Sequence, residues 1–317
     1  MHIVAATSLK MLPFVEQWPA DLQKRLRIAW FASIDEAEPY LAEADALLVQ
    51  SRLNAAQLAK AERVRWIHSL SAGVDRMPLA EMAERGIRLS NSSGVHTIQM
   101  SEYALAMMLQ LVREAPAYLR MQQQKQWKGG PPIGELYGKT VGVLGPGAIG
   151  RGIAPRAAAF GMRVIGYSRS GRPVEGFETV YTGSDGLTAL LEASDFVINL
   201  LPGTAETHHL LKLEQFRQMK TSACFLNLGR GNVVREPDLI RALEEGTIAG
   251  AALDVFEEEP LPPESPLWTM EQVILTPHIA GLSPHYAERA AEIYFRNIRS
   301  YLNGEKLENE VSYENGY

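Results

Sequence analysis

Short apolar runs rich in β-branched residues alternate along this chain with stretches that carry apolar residues at helical spacing, and turn residues separate the two. That alternation predicts parallel sheets with helical crossovers. In the first third, 2–7 (HIVAAT), 26–32 (LRIAWFA), 45–50 (DALLVQ), 66–70 (WIHSL) and 87–90 (IRLS) read as strands, with helix-like segments such as 35–43 and 54–63 between them. Such a series predicts one doubly wound layer. A second series at 140–144 (TVGVL), 162–167 (MRVIGY), 195–200 (DFVINL), 223–228 (ACFLNL), 249–255 (AGAALDV) and 272–275 (QVIL) predicts another. Between the two, 97–113 is apolar on nearly all sides and reads as a helix buried between layers or against another subunit. Residues 114–138 break the rhythm with three consecutive glutamines, Trp127, Gly129-Gly130 and Pro131-Pro132, and read as an extended arm or linker. A last helical segment at about 284–302 is expected to end the ordered chain before a polar tail.

The length of 317 residues agrees with two domains. Charge narrows the partners: 31 basic against 37 acidic residues leave a net charge of -6 with no basic stripe, which argues against nucleic acid. The single Cys224 permits no internal disulfide and no CxxC zinc or redox pair, fits a reducing compartment and reads as a small core residue. The N-terminus lacks the basic region and cleavage site of a secretory signal, and nowhere do about 18 apolar residues run together. A cytoplasmic protein without a membrane span is expected.

Gly145-Pro-Gly147-Ala148-Ile149-Gly150 directly follows the strand TVGVL and opens a helix-like run. In that position each glycine has a reason: a tight turn, close approach to a pyrophosphate, and packing of helix on strand. The segment Gly134-Glu-Leu-Tyr-Gly138-Lys139-Thr140 is one residue short of a P-loop and precedes its strand, and no Tyr-x-x-x-Lys pair, Gly-x-Ser-x-Gly or His-Glu-x-x-His occurs. About 20 residues beyond such a loop an NAD enzyme carries an acid for the ribose hydroxyl. Here Tyr167-Ser168-Arg169-Ser170-Gly171-Arg172 has none. The two arginines can pair with a 2′-phosphate and the serines can donate to it, so NADP(H) is expected in preference to NAD(H).

Ligands of open parallel sheets bind beyond the carboxyl ends of the strands. Arg230, Glu259 and His278 each follow such a strand. Together they can supply a carboxylate clamp, a partner that stabilises an imidazolium, and a general acid for a carbonyl oxygen.

These residues lie in segments whose order and spacing resemble the D-isomer-specific 2-hydroxyacid dehydrogenase family over essentially the whole chain. The segments are Ser71-Ala-Gly-Val-Asp75, Asn91-Ser-Ser-Gly94, Gly145-x-Gly-x-x-Gly150, Leu201-Pro-Gly-Thr204, Asn227-Leu-Gly-Arg-Gly231, Leu253-Asp-Val-Phe-x-x-Glu-Pro260 and Thr276-Pro-His-Ile-Ala-Gly281. The resemblance implies that Arg230, Glu259 and His278 are the catalytic residues. It implies further that the backbone of Ala72 and Gly73, with Arg230, holds the substrate carboxylate, that Asp254 binds the nicotinamide carboxamide, and that Thr97, Leu201 and Pro202 line the cofactor. It also implies an α/β architecture of two doubly wound parallel-sheet domains. A Rossmann cofactor domain (97–282) is inserted into a flavodoxin-like substrate domain (1–96 and 283–317), and homodimers form through the cofactor domain. The missing ribose acid resembles the family's NADPH-dependent glyoxylate and hydroxypyruvate reductases, and Glu259 disfavours formate chemistry, where glutamine is found. Two alternatives stand beside a reductase of small 2-oxoacids: an NAD-linked dehydrogenase of a larger, phosphoglycerate-like D-2-hydroxyacid, and a dinucleotide-sensing corepressor-like protein. No metal site is expected. His208 and His209 lack a third ligand, His285 reads as a helix-start residue, His96 as structural or facing the cleft, and Arg52 as a residue near the far end of a substrate.

Overall fold

The computed structural model describes the chain apart from Ser51, Asp75 and residues 315–317. It divides into two compact units, one of Met1–His96 with the segment from Ser283 onward, the other Thr97–Leu282.

In the first unit the strands are β1 (His2–Ala6), β2 (Arg27–Phe31), β3 (Ala46–Val49), β4 (Trp66–Ser69) and β5 (Arg88–Asn91), all parallel in the order β2-β1-β3-β4-β5. This is the flavodoxin-like order. Alternation of side chains along β3 sends Leu47 and Val49 to one apolar layer with Leu58, Ile67 and Leu89. Ala46 and Leu48 go to the other, with Trp66 and with Tyr294 and Ile298 of the helix Tyr286–Leu302. Both faces are covered, so the strands read as nearly unbroken apolar runs. The expected helix 35–43 is split at Pro39 into a short α-helix, Ile34–Ala37, and a 3-10 turn, Glu38–Glu43. The segment after the last helix is also not a loose polar tail. Leu307 and Val311 are buried, Val311 donates its N–H to the Leu89 carbonyl at 2.8 Å, and Glu310 forks onto Arg88 at 2.6 and 2.9 Å. Its two apolar anchors are too widely spaced to register as a periodic pattern.

In the second unit β6 (Thr140–Leu144), β7 (Arg163–Tyr167), β8 (Thr179–Tyr181), β9 (Phe196–Asn199), β10 (Cys224–Asn227), β11 (Gly250–Leu253) and β12 (Val273–Leu275) form one parallel sheet in the order β12-β11-β10-β9-β6-β7-β8. The order reverses between β6 and β9, which makes that the dinucleotide crevice of a Rossmann fold. The edge strand β8 escapes sequence reading because its three residues are partly exposed and carry no apolar run. The helix Thr97–Val112 buries Met100, Ala104, Leu105 and Met108 against the sheet residues Val141, Val143 and Leu226. Part of the expected arm is helical: Ala115–Gln123 forms a separate helix after Glu114 turns the chain at φ 55. Pro116 is tolerated in its first turn, where an N–H has no intrahelical partner, and the glutamines propagate the helix well. Residues 124–138 carry no regular element.

Candidate active site

The glycine loop joins β6 to the helix Ala148–Ala159 at the point where the strand order reverses. Gly145 has φ +93, and a Cβ there would lie 3.3 Å from the Leu200 carbonyl carbon. A Cβ on Gly150 would lie 3.1 Å from the Gly145 oxygen and 3.3 Å from Val143 Cγ1, so this residue lets the helix pack on the strand. At Gly147 a Cβ would meet nothing within 4 Å. That position faces open space, as backbone approached by a pyrophosphate must. Gly147 caps the helix without a side chain and no acid stands in the first turn, so the N–H groups and positive dipole end at Ala148 and Ile149 are unopposed. The loop therefore fits a dinucleotide. Leu201 and Pro202 border it from the end of β9, where Leu201 N–H is held by Asn199 Oδ1 at 3.1 Å. Thr97 packs its methyl against the same helix, where a Cβ on Gly152 would come within 2.6 Å of it.

The turn after β7 is built by its own serines. Ser168 Oγ accepts from Gly171 N–H at 3.1 Å, Ser170 Oγ from Arg172 N–H at 3.4 Å, and Thr182 donates to the Arg169 carbonyl at 2.9 Å. Ser168 is half-buried, while Arg169, Ser170 and Arg172 are exposed. Glu206 faces this turn. Its own backbone N–H and then Thr204 hold its carboxyl below the usual carboxylate range, with a smaller contribution from Arg169.

Beyond β10, β11 and β12 the chain brings Glu259 and His278 together: Glu259 Oε2 lies 2.8 Å from His278 Nδ1, and Glu259 Oε1 accepts from Phe256 N–H at 3.2 Å. The pair is open to solvent, with 52% of the His278 and 32% of the Glu259 side chain accessible. Arg230 is fixed by its neighbours. A Cβ on Gly229 would fall 2.8 Å from the Leu201 oxygen, and one on Gly231 only 1.8 Å from the Phe256 oxygen. Glycine at both positions lets the Arg230 segment lie against the backbones that carry Leu201 and Glu259. Two buried amides tie the strand ends together, Asn199 Nδ2 donating to Asn227 Oδ1 at 2.9 Å.

Asp254 is 2% exposed, and its carboxylate accepts from Thr276 Oγ1 at 2.6 Å, Ile279 N–H at 2.8 Å and Ala280 N–H at 2.9 Å. Most of its hydrogen-bonding capacity goes to the loop that carries His278, a use that the sequence reading of this residue did not foresee.

In the first unit, Asn91 Nδ2 donates to the Ala72 carbonyl at 2.8 Å and so fixes the plane of the Ala72–Gly73 peptide. Asp75, the last residue of that segment, lies outside the described residues. Beneath the loop lies His68, fully buried. Ser92 spends its proton on the Ser69 carbonyl at 3.2 Å and therefore accepts from Nε2–H of His68 at 3.2 Å. Ser90 Oγ accepts from Trp66 Nε1 at 2.9 Å and gives its proton to His68 Nδ1 at 2.8 Å. The network demands the neutral Nε2–H tautomer, and burial lowers the imidazole pKa to about 3.

Other singled-out residues fall elsewhere. His96 packs its ring 5.2 Å from Tyr286 within the first unit, His209 pairs with Glu257, and His285 occupies the N-cap of the last helix with Nδ1 3.2 Å from Glu288. Burial pushes the Cys224 thiol up to about 12, which leaves it unreactive. Arg52 is exposed beyond β3. Sequence reading passed over Tyr103, Asn199 and His68, and Asn227 and Thr276 stand in the matching segments without an assigned role. Polar residues at strand ends were a usable signal for the asparagines, whereas Tyr103 and His68 sit inside apolar elements and give none.

Residues 105–280 match the NAD binding domain of the D-isomer specific 2-hydroxyacid dehydrogenases. A glyoxylate reductase of Korarchaeum cryptofilum is 38% identical over 280 residues, 86% of this chain and 84% of its own length. A D-isomer specific 2-hydroxyacid dehydrogenase family protein of Aeromonas salmonicida has a crystal structure similar to this one at a TM-score of 0.85 and 35% identity, covering 98% of this chain and 99% of that one. An NADPH-dependent glyoxylate/hydroxypyruvate reductase of Sinorhizobium meliloti, solved with NADP and sulfate, gives a TM-score of 0.84 at 30% identity and covers 100% of this chain and 99% of its own. This chain belongs to the D-isomer specific 2-hydroxyacid dehydrogenase family.

Proposed function

We propose that this protein is an NADPH-dependent reductase of small 2-oxoacids, glyoxylate or hydroxypyruvate, forming the D-hydroxyacid where a stereocentre arises. The observation that carries the reading is the 2.8 Å contact between Glu259 and His278 Nδ1 at the strand ends of a dinucleotide-binding sheet. Glu259 orients the imidazole and stabilises its protonated form, and Nε2 on the opposite side of the ring gives its proton to the substrate carbonyl oxygen. Arg230 pairs its planar guanidinium with the substrate carboxylate, which the Ala72–Gly73 backbone also receives. The dinucleotide, when bound, supplies the hydride. Gly145, Gly147, Ala148, Ile149 and Gly150 hold its pyrophosphate, Thr97, Leu201 and Pro202 flank it, and Asp254 borders the nicotinamide end. In this reading 97–282 is the cofactor domain and 1–96 with 283–317 the substrate domain. Homodimers form through the cofactor domain, whose fully exposed Trp127 and exposed Leu119 and Ile133 support an interface there. A reducing, cytoplasmic setting accords with the single Cys224.

Preference for NADP(H) rests on the absence of an acid after β7 and on Arg169 and Arg172 in its place. Converting both to alanine raises the KM for NADPH about 10- to 100-fold, the loss of one or two charge-assisted contacts, and changes that for NADH by less than about 3-fold. The test is a panel of 2-oxoacids assayed with NADPH and with NADH. Fast reduction of glyoxylate or hydroxypyruvate with NADPH supports the proposal. A clear NADH preference overturns the cofactor reading, and reduction of only larger or phosphorylated oxoacids overturns the substrate reading.

A further inference from the structure

We infer that Tyr103 is a positioning residue for His278, acting from the helix Thr97–Val112 through the hydroxyl of Thr276 and the carboxylate of Asp254. The inference rests on the proposed role of His278 as the proton donor.

His278 needs to be held. Its φ is 54, a left-handed conformation that a residue with a Cβ adopts only when its surroundings impose it. The restraint comes from Asp254 on both sides. The Asp254 carbonyl accepts His278 N–H at 2.9 Å, while its buried carboxylate takes the Thr276 hydroxyl before the histidine and the Ile279 and Ala280 N–H groups after it. A residue whose carboxylate binds three positions of one turn and whose carbonyl binds a fourth sets the turn, and the turn aims the imidazole.

Thr276 has one hydroxyl proton and spends it on Asp254 Oδ1. The 2.5 Å contact between Thr276 Oγ1 and the Tyr103 hydroxyl is therefore donated by the phenol. Burial pushes that phenol up to about 12, so it stays protonated, and able to donate, near neutral pH. The chain of donors runs one way, from Tyr103 to Thr276 to the Asp254 carboxylate, the same group that accepts the backbone N–H groups after His278. It crosses 173 residues of sequence and joins the long helix to the catalytic loop. Tyr103 and Thr276 contact neither the glycine loop nor the turn after β7, which are proposed to hold the phosphates, so substitutions at these two positions act on turnover more than on dinucleotide affinity.

The test is a double-mutant cycle on the full-length enzyme with NADPH and the best oxoacid. Tyr103→Phe lowers kcat about 3- to 10-fold and Thr276→Val about 10- to 100-fold, with both KM values within about 2-fold of wild type, because a lost donor displaces the acid without removing a binding contact. The double variant is no slower than Thr276→Val alone, since the two side chains act in series. Thr276→Ser, which keeps the hydroxyl, restores at least about half of the wild-type kcat. A Tyr103→Phe enzyme with kcat within 2-fold of wild type, losses that multiply in the double variant, or no rescue by serine overturns the inference. His278→Ala separates the two claims. If it abolishes turnover while Tyr103→Phe keeps kcat within 2-fold of wild type, the positioning role fails alone, and if it leaves turnover intact, the proposed role of His278 fails with it.

Discussion

Replacing His278 with alanine lowers kcat for oxoacid reduction by about 100- to 10,000-fold, the range that a positioned general acid contributes. The carbonyl oxygen gains negative charge as the hydride arrives, and without the imidazole only water can protonate it. Cofactor affinity is unaffected. The glycine loop follows β6 and the Ser168–Arg172 turn follows β7, whereas His278 follows β12 at the far edge of the sheet. Steady-state kinetics give kcat, and fluorescence titration with NADPH gives Kd, expected within about 3-fold of wild type because no phosphate contact is lost. Turnover within 2-fold of wild type in the variant would remove His278 from the reaction. A loss of both turnover and NADPH binding would point to collapse of the loop that Asp254 organises.

Acid destabilises the first unit through His68. In the unfolded chain this imidazole titrates near its ordinary value of 6.5, while in the buried network it titrates near 3. Between those values the unfolded state binds a proton that the native state refuses. Stability is therefore complete above about pH 6.5 and falls as the pH drops, by up to about 1.4 kcal/mol per pH unit. At pH 4.5 the loss from this residue reaches roughly 2 to 3 kcal/mol. His68→Gln removes the titrating group, so the stability difference between wild type and variant, measured by urea unfolding from pH 7.5 down to 4.5, shrinks toward acid. A difference that stays constant with pH would mean that the ring does not remain neutral in the fold. The effect also reaches the site, because Ser92, which accepts from His68, ties down the Ser69 carbonyl at the root of the Ala72–Gly73 loop.

The legible part of this protein follows from period and position. The alternation of runs located the strands of both sheets except β8, because a fully covered parallel strand must be apolar throughout, while a three-residue edge strand need not be. The glycine loop was legible because two of its glycines answer a steric demand that only backbone can meet: a positive φ at Gly145 and close packing at Gly150. Arg230, Glu259 and His278 were legible as polar residues just past apolar strands, and the fold does bring Glu259 to His278. What stayed hidden was an irregular turn and whatever depended on a partner distant in the chain. The helix Ala115–Gln123 was obscured by a turn at Glu114, and the segment Leu307–Val311 by its dependence on β5 for a place to pack.

The sequence by itself determined the class of the fold and the crevice for a dinucleotide, because these are local: runs of apolar residues and a turn that needs glycine. Only the tertiary structure decided what Asp254, Tyr103, Thr276 and His68 do. Each is a polar group in an apolar setting, and its role is set by the hydrogen bond that burial obliges it to find. For Tyr103 that partner lies 173 residues away, and for His68 it lies on the neighbouring strand. The chain alone cannot specify such pairs, because they exist only once strand order and register have brought their elements side by side.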